Sequence, residues 1–270
     1  MTAWEEVGDG VFCRRYQPWD VTVGAVRGRD GLLVVDTRAS PAQAEELLSD
    51  LRALDPRSPA WVVNTHAHFD HTFGNARFPG AEVWAHQSVP AALREGRHDA
   101  PADPEYQGVT VVEPDRLVSA HVTLDLGDRV AELRHLGPAH TDGDLVVWIP
   151  DVGVLFAGDL VEESGPPAYG PDSFPLEWPE ALARLVEWPA DGDLLVVPGH
   201  GAVVGRQFIE RQRADVAAVA RILQELWEAG VPQEEALDAA ADRWPWPAEQ
   251  LGHALRRAYA SLSGGGGIAG

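Results

Sequence analysis

Apolar residues in the first third of the chain occur in short blocks of strand length, separated by turn-forming residues. Blocks at residues 11–16, 21–27 and 32–36 predict an antiparallel meander. From residue 41 the apolar positions follow helical intervals instead, after an N-capping serine and a proline. This change of period predicts a helix that ends near residues 55–56.

Strands and helices alternate along the rest of the chain. A predicted strand at 61–64 is followed by one at 82–85, a helix at 88–97 and a connection rich in proline and aspartate. The pattern then predicts a second set of strands at 109–112, 119–126, 129–136, 145–149, 154–156 and 194–197. Helices at 206–229, 233–242 and 248–262 come last. Two strand-rich halves that carry helices imply an α/β fold with two sheets packed face to face and helices outside, a four-layer αββα sandwich.

The chain length favours one large domain with a small appendage, because 270 residues lie near the upper limit of what one core organises. We expect the large domain at residues 1–205, a helical C-terminal region at 206–262, and a flexible glycine-rich tail at 263–270.

Composition excludes several kinds of partner and chemistry. A formal net charge of -21 opposes binding to nucleic acid, whose affinity comes from basic residues that release counterions. The first twelve residues lack the basic start of a signal peptide, and every apolar run is far shorter than the roughly 20 residues of a membrane span. We therefore expect a cytoplasmic protein without membrane association. Cys13 is the only cysteine, so disulfides and thiolate metal clusters are excluded.

Residues 66–71 place four potential metal ligands directly after a predicted buried strand: His66, His68, Asp70 and His71. On a looped backbone, residues two apart project to the same side, so His66 and His68 could bind one ion. Asp70 and His71 would then turn toward a second ion.

Three further candidates lie beside glycines at the ends of later strands: His140, Asp159 and His200. Glycine allows a sharp turn and a close approach of the backbone to a ligand. Imidazoles and carboxylates without thiolates suit divalent zinc, iron or manganese. The remaining histidines are expected at the surface or in hydrogen bonds.

In order and spacing, these residues resemble the H-x-H-x-D-H motif and later ligands of the metallo-β-lactamase superfamily, over roughly residues 10–205. By this resemblance, residues 1–205 would form the catalytic domain. It implies a first metal bound by His66, His68 and His140, and a second bound by Asp70, His71 and His200. Asp159 would bridge the two. Asp36, with Asp142 or Asp144 as alternatives, would accept the other ring proton of a ligand histidine.

A binuclear centre of this kind predicts a metal-dependent hydrolase. Two divalent ions, zinc in the first place and iron or manganese as alternatives, would supply a metal-bound hydroxide that attacks a carbonyl. Asp70 would be the catalytic residue that moves the proton of the attacking water. The expected substrate is a small molecule with an ester, thioester or lactone bond, and the sequence carries no indication of oligomeric state.

Comparison with individual branches of the superfamily narrows the expected substrate class. The commonest zinc β-lactamases have a cysteine where this chain has Asp159, and a lysine where it has Glu162. Asp159 instead resembles the bridging acid of glyoxalase II-like thioesterases and lactonases. The alternatives are a persulfide dioxygenase-like oxidoreductase with one iron, a β-lactam hydrolase, and a non-catalytic binding module, which the complete ligand set disfavours. The segment at 162–178, with Tyr169, is expected to line the pocket.

Overall fold

The structure is a computed structural model that describes residues 3–188 and 194–264. Within these residues it contains seven α-helices: α1 (Pro41–Leu54), α2 (Phe69–Thr72), α3 (Val89–Arg94), α4 (Trp178–Val186), α5 (Arg206–Glu228), α6 (Gln233–Ala239) and α7 (Gly252–Gly264). The strands of the first half are β1 (Glu5–Gly8), β2 (Val11–Tyr16), β3 (Val21–Arg27), β4 (Leu32–Val35), β5 (Trp61–Val63), β6 (Glu82–His86) and β7 (Arg116–Val118). Those of the second half are β8 (His121–Asp125), β9 (Val130–His135), β10 (Leu145–Ile149), β11 (Val154–Glu162), β12 (Leu195–His200) and β13 (Val204–Gly205).

The strands form two halves that meet at one hydrogen-bonded pair. In the first half the order is β7-β6-β5-β4-β3, with β2 and β1 on the other side of β3. The β2-β3-β4 part is the predicted antiparallel meander. In the second half the order is β12-β11-β10-β9-β8, with β11 and β12 parallel. Among the described residues, Val21 of β3 and His200 of β12 are the one strand pair that joins the two halves.

The core lies in three layers, which confirms the αββα sandwich. Between the halves, residues of the first sheet such as Leu33 and Val35 pack with Leu133 and Phe156 of the second. The outer face of the first sheet packs against α1, and the outer face of the second packs against α4, α5 and α7. Each sheet is therefore covered by helices on one face and by the other sheet on its second face.

The first helix forms where the sequence predicts it. The Ser40 hydroxyl accepts a hydrogen bond from the Gln43 amide, and Pro41 occupies the first turn, where its missing N–H costs nothing. Leu47 and Leu51, four residues apart, are buried on one face. Burial of that face against the first sheet fixes the helix on the fold.

Several elements differ from the sequence prediction, three of them in ways that bear on the fold. The strand predicted at 154–156 continues to Glu162, because both faces of β11 are buried and the chain passes Gly158 with a shift of register rather than a turn. Residues 109–112 have strand-forming side chains but are half-buried or exposed and form no strand. Helix α4 was not predicted; it begins at Trp178, after a segment rich in proline and glycine.

The C-terminal region is helical, as predicted, and packs on the outer face of the second sheet. A 3₁₀ turn at Ala248–Leu251 precedes α7, which continues to Gly264 and so includes the first two residues of the predicted tail. Residues 265–270 of that tail lie outside the described residues. In the described part of the chain, no helix has both the length and the apolar character needed to cross a bilayer.

Candidate metal centre

All seven candidate ligands lie together at one end of the sandwich. His66 and His68 are in the loop after β5, Asp70 and His71 are in α2, and His140 follows β9. Asp159 lies in β11, and His200 is the last residue of β12. Six of the seven are buried and His200 is partly buried. Residues separated by as many as 134 positions in the sequence (200 minus 66) thus form one cluster.

The motif at residues 66–71 begins in a loop and ends in helix α2. His66 and His68 lie on the loop that the sequence predicts, but His68 then caps the N-terminus of the single-turn helix α2. Phe69 in that turn packs edge-on against Trp19 and Tyr106, with ring centroids 5.1 and 5.2 Å apart respectively. This aromatic contact holds the turn in place, and the turn brings the His71 ring to 4.2 Å from the His66 ring, centroid to centroid.

The spacing of the donor atoms fits divalent metal ions. The Nε2 atom of His200 lies 3.3 Å from Oδ2 of Asp70 and 3.4 Å from Oδ2 of Asp159. The Nε2 atom of His71 lies 3.3 Å from Oδ1 of Asp159 and 3.5 Å from Oδ2 of Asp70. Ligands about 2.0–2.1 Å from a tetrahedral zinc ion are about 3.3–3.4 Å from one another, because a tetrahedron's edge is about 1.6 times its centre-to-vertex distance. These four distances, which join five atoms of four side chains, are therefore close to the ligand separations of one coordination shell.

The other histidines form a second group with Asp159. The Nε2 atom of His140 lies 3.5 Å from Oδ2 of Asp159 and 2.9 Å from Nδ1 of His68. The Nε2 atom of His66 lies 3.8 Å from the same carboxylate oxygen. The Asp159 carboxylate thus lies between two groups of nitrogen donors.

Each imidazole is fixed by its outward nitrogen, so that its other nitrogen faces the cluster. The Nδ1 atom of His140 donates to the carbonyl of Ala168 at 3.0 Å, and that of His200 donates to the carbonyl of Trp19 at 2.8 Å. His68 has the opposite orientation: its Nε2 atom donates to Asp172 at 3.3 Å, and its Nδ1 atom faces the cluster. The inward nitrogens therefore present lone pairs to the centre, as metal-binding imidazoles do.

Three buried atoms of the cluster have no hydrogen-bond partner among the residues that the structure describes: Nε2 of His66, Nε2 of His71 and Oδ1 of Asp159. A buried polar atom without a partner costs about 1–3 kcal/mol, so native proteins rarely retain such atoms without a reason. Lone pairs that converge on one point are satisfied by a cation. The donor set, the spacing and the unpaired atoms together fit divalent metal ions.

Asp36 orients one histidine on each side of the centre. Its carboxylate accepts hydrogen bonds from Nδ1 of His71 and from the amide and hydroxyl of Thr65, each at 2.8 Å. Because the Thr65 hydroxyl donates to Asp36, it accepts from Nδ1 of His66, 3.1 Å away. The expected role of Asp36 as the partner of a candidate ligand is confirmed, and it extends to two histidines.

The two alternatives to Asp36 do not contact the candidate ligands. Asp144 accepts from the amide and hydroxyl of Thr141, and burial raises the pKa of Asp144 to about 7. Asp142 lies 3.8 Å from Arg97 in a partly exposed ion pair. Sequence reasoning missed Asp172, the hydrogen-bond partner of His68. The sequence pointed to it only through its location in the segment expected to line the pocket.

The carboxylates favour positive charge on the side of His71. Burial lowers the pKa of His71, but Asp70 and Asp159 outweigh it and hold that pKa well above its usual value. On the other side, burial and the neighbouring His71 hold the pKa of His66 well below its usual value, and burial lowers the pKa of His140 to about 4. His66 and His140 are thus neutral imidazoles, the form that binds metal, whereas for His68 the Asp172 carboxylate outweighs burial and raises the pKa.

Glycines permit the close approach of β11 and β12. A Cβ atom on Gly199 would lie 1.8 Å from Oδ1 of Asp159 and 2.8 Å from the carbonyl carbon of Gly158. Gly158 has a φ of 52°, and a Cβ there would lie 2.7 Å from Cβ of Thr65. Side chains at either position would push Asp159 out of the cluster.

The cluster lies in the wall of a cavity of about 650 Å³. Trp19, Phe69 and Tyr169 provide apolar surface, and Glu162 and Ser164 lie beside the candidate ligands. The Tyr169 ring packs edge-on against the buried Trp178, with centroids 5.1 Å apart, and burial raises the pKa of its hydroxyl. Much of the segment at 162–178 lines this cavity, as the sequence predicts.

Residues 16–200 match the sequence model of the metallo-beta-lactamase superfamily. The acyl-coenzyme A thioesterase MBLAC2 of Gallus gallus is 29% identical over 248 residues, which cover 82% of this chain and 88% of the relative. The metallo-beta-lactamase type 2 of Bacillus cereus is 26% identical over 183 residues, or 66% of each chain. Among solved structures, the stereoselective inverting sec-alkylsulfatase Pisa1 from Pseudomonas sp. superposes with a TM-score of 0.74 at 17% identity, covering 96% of this chain and 50% of that one.

Proposed function

Because the chain belongs to the metallo-β-lactamase superfamily, we propose that it is a binuclear metal-dependent hydrolase that cleaves an ester, thioester or lactone bond of a small-molecule substrate. The observation that carries the proposal is the seven-donor cluster in the wall of the cavity. Superfamily membership and the thioesterase relatives support a metal-dependent hydrolase; the number of metals and the type of bond are what we propose in addition.

His66, His68 and His140 would hold one ion, Asp70, His71 and His200 the other, and Asp159 would lie between them. Zinc suits this set of nitrogen and carboxylate donors, with iron or manganese as alternatives. Such ions would supply water activated for attack near neutral pH and would polarise the substrate carbonyl.

Asp70 is our candidate for proton transfer. It lines the cavity, and its Oδ2 atom lies 3.3 Å from His200 and 3.5 Å from His71. Burial raises the pKa of Asp70, but the two histidines outweigh it and lower that pKa, so the carboxylate is ionised at neutral pH. An ionised carboxylate at the cavity wall can accept the proton of the attacking water and return it to the leaving group.

Two observations favour ester and thioester bonds over β-lactams. The acyl-coenzyme A thioesterase MBLAC2 is 29% identical over 82% of this chain, whereas the metallo-beta-lactamase type 2 is 26% identical over 66%. Glu162 is buried beside the cluster and lines the cavity, whereas recognition of a β-lactam carboxylate needs a cation there. The chain contains no lysine that could replace it.

A kinetic panel on one metal-loaded preparation tests the proposal. We expect kcat/KM for penicillins and carbapenems at least about 100-fold below that of the best ester, thioester or lactone, a gap of about 2.7 kcal/mol. Elemental analysis should give two transition-metal ions per chain. A β-lactam as the best substrate would contradict the bond type, and a metal content fixed near one would contradict the binuclear centre. Oxygen uptake with a persulfide would indicate the dioxygenase instead.

A further inference from the structure

His68 differs from the other candidate histidines in the nitrogen that it turns toward the centre. With His66 and His140 it is proposed to bind one metal ion, called the first ion below. Its Nδ1 atom lies 2.9 Å from Nε2 of His140, and its Nε2 atom points outward. The other four candidate histidines place Nδ1 outward, on hydrogen-bond partners. A half-turn of the His68 ring would put carbon atoms where its nitrogens lie, so the centre would lose a donor.

Asp172 holds the His68 ring in this orientation. Its Oδ1 and Oδ2 atoms lie 3.3 and 3.4 Å from Nε2 of His68, so the carboxylate accepts the proton of the outward nitrogen. The Asp172 side chain is 12% exposed and borders a cavity of about 290 Å³, whereas His68 lines the larger cavity that contains the cluster. Asp172 therefore acts on the centre through His68.

The segment that contains Asp172 also holds a second ligand of the first ion. The carbonyl of Ala168 accepts a hydrogen bond from Nδ1 of His140 at 3.0 Å. His71 and His200, which would bind the second ion, are held instead by residues of the first half of the fold. A change at Asp172 should therefore affect the first ion and leave the ligands of the second ion in place.

Helix α7 fixes this segment from the other side. The Nε atom of Arg257 donates to the carbonyl of Ser173 at 2.8 Å, and the guanidinium lies over the ring of Phe174, 5.0 Å from its centroid. The Ser173 hydroxyl donates to the carbonyl of Gly170 at 2.9 Å. A Cβ atom on Gly170 would lie 2.9 Å from Oδ1 of Asp172. Asp172 thus lies in a tight turn that is anchored to the helical region.

We propose that Asp172 is a positioning residue that keeps Nδ1 of His68 directed at the centre and thereby sets the affinity for the first ion. This inference rests on the proposed function, because it uses the division of the ligands between two ions. An acceptor on the outward N–H of a metal-bound imidazole orients the ring and makes the inner nitrogen more basic. Within the described residues, the hydrogen bonds of Asp172 to candidate ligands go to His68 alone, so the second ion should be unaffected.

Zinc titration of the protein labelled with ¹⁵N in its histidine rings tests the proposal, because the ring signals follow each ion separately. The signals of His140 report on the first ion, and those of His71 and His200 report on the second. Asp172→Ala should raise the Kd of the first ion about 10–100-fold and leave that of the second unchanged. Asp172→Asn keeps an acceptor oxygen but loses the charge, so its Kd should lie between those of Asp172→Ala and the wild type.

The ring spectra also carry a signature that a merely structural role would not move. In the zinc-loaded wild type, His68 should be protonated on Nε2 and bound to metal through Nδ1. Asp172→Ala should lose the signal of that proton to exchange with water, whereas Asp172→Asn should retain it. Asp142→Asn is the matched control: it removes a carboxylate from the partly exposed ion pair with Arg97, which borders the same cavity, and should change neither affinity.

An Asp172→Ala protein that binds the first ion as tightly as the wild type, or that loses affinity for both ions by the same factor, would overturn the proposal. Neither measurement uses hydrolysis, so a protein that shows the expected zinc binding but cleaves no ester, thioester or lactone contradicts the proposed function and leaves the role of Asp172 intact. If the wild type binds one ion, the binuclear centre fails. Weaker binding of that ion in Asp172→Ala would then support the role of Asp172, and unchanged binding would overturn it.

Discussion

Replacement of Asp36 by Asn should weaken both the fold and the candidate metal centre, because three donors converge on this one buried carboxylate. Oδ2 accepts from the Thr65 hydroxyl and from Nδ1 of His71, and Oδ1 accepts from the Thr65 amide. An asparagine has one acceptor oxygen, so its amide NH₂ must face at least one of these donors. Asn also tolerates the φ of 68° at this position, so backbone strain does not confuse the result.

The magnitude follows from the number of donors that lose an acceptor. One unpaired buried donor costs about 1–3 kcal/mol, which sets the expected loss in the free energy of unfolding of the metal-free protein. The loss of an orienting partner of a metal-bound histidine typically reduces metal affinity about 10–100-fold. Because Asp36 orients His71 directly and His66 through Thr65, we expect the affinity for both ions to fall.

Urea unfolding of the metal-free protein, followed by zinc titration against a chromophoric chelator, measures the two effects separately. Asp151→Asn is the matched control: it removes a half-exposed ion pair with Arg129 and should change stability by less than about 0.5 kcal/mol. An Asp36→Asn protein as stable as this control, with unchanged affinity for both ions, would refute the reasoning.

Three further predictions follow from the site and its surroundings. Asp159→Ala should lose metal and hydrolytic activity together, which elemental analysis and kinetics would check; full metal content with normal turnover would contradict the bridging position. Gly199→Ala should cost about 1–3 kcal/mol of stability and reduce metal affinity, because its Cβ would lie 1.8 Å from Asp159; Gly165→Ala, which meets nothing within 4 Å, is the control. His86 has a pKa lowered from 6.5 to about 4 by burial and by its stacking on His135, so it takes up a proton more readily in the unfolded chain. Stability should therefore fall as pH drops from 6.5 toward 4, by at most about 3 kcal/mol, and urea unfolding of His86→Gln should show a weaker dependence.

The seven side chains that the sequence singles out come together in the structure, and their signal in the sequence is local. Four of them lie within residues 66–71, and the other three stand beside glycines at strand ends. Asp36 was also predictable, since it ends a clear strand and the family resemblance assigns an acid there. Asp172 was not, because its contact with His68 spans 104 residues and depends on the path of an irregular segment. The strand prediction at residues 109–112 was wrong for a related reason: strand-forming side chains form a strand only where a neighbouring strand is available to pair with.

Gln212 joins the helical region to the candidate site. It is buried on α5, its side-chain amide donates to the carbonyl of Leu160 at 2.9 Å, and its oxygen accepts from the amide of Glu162. The helices after residue 205 thus satisfy main-chain groups one and three positions after Asp159, as well as covering the apolar face of the second sheet. The helical region is therefore not independent of the catalytic site. In a chimera that kept this sheet but took its helices from a related enzyme, the end of β11 would keep these two hydrogen bonds only if the new helix carried a side-chain amide at the position of Gln212.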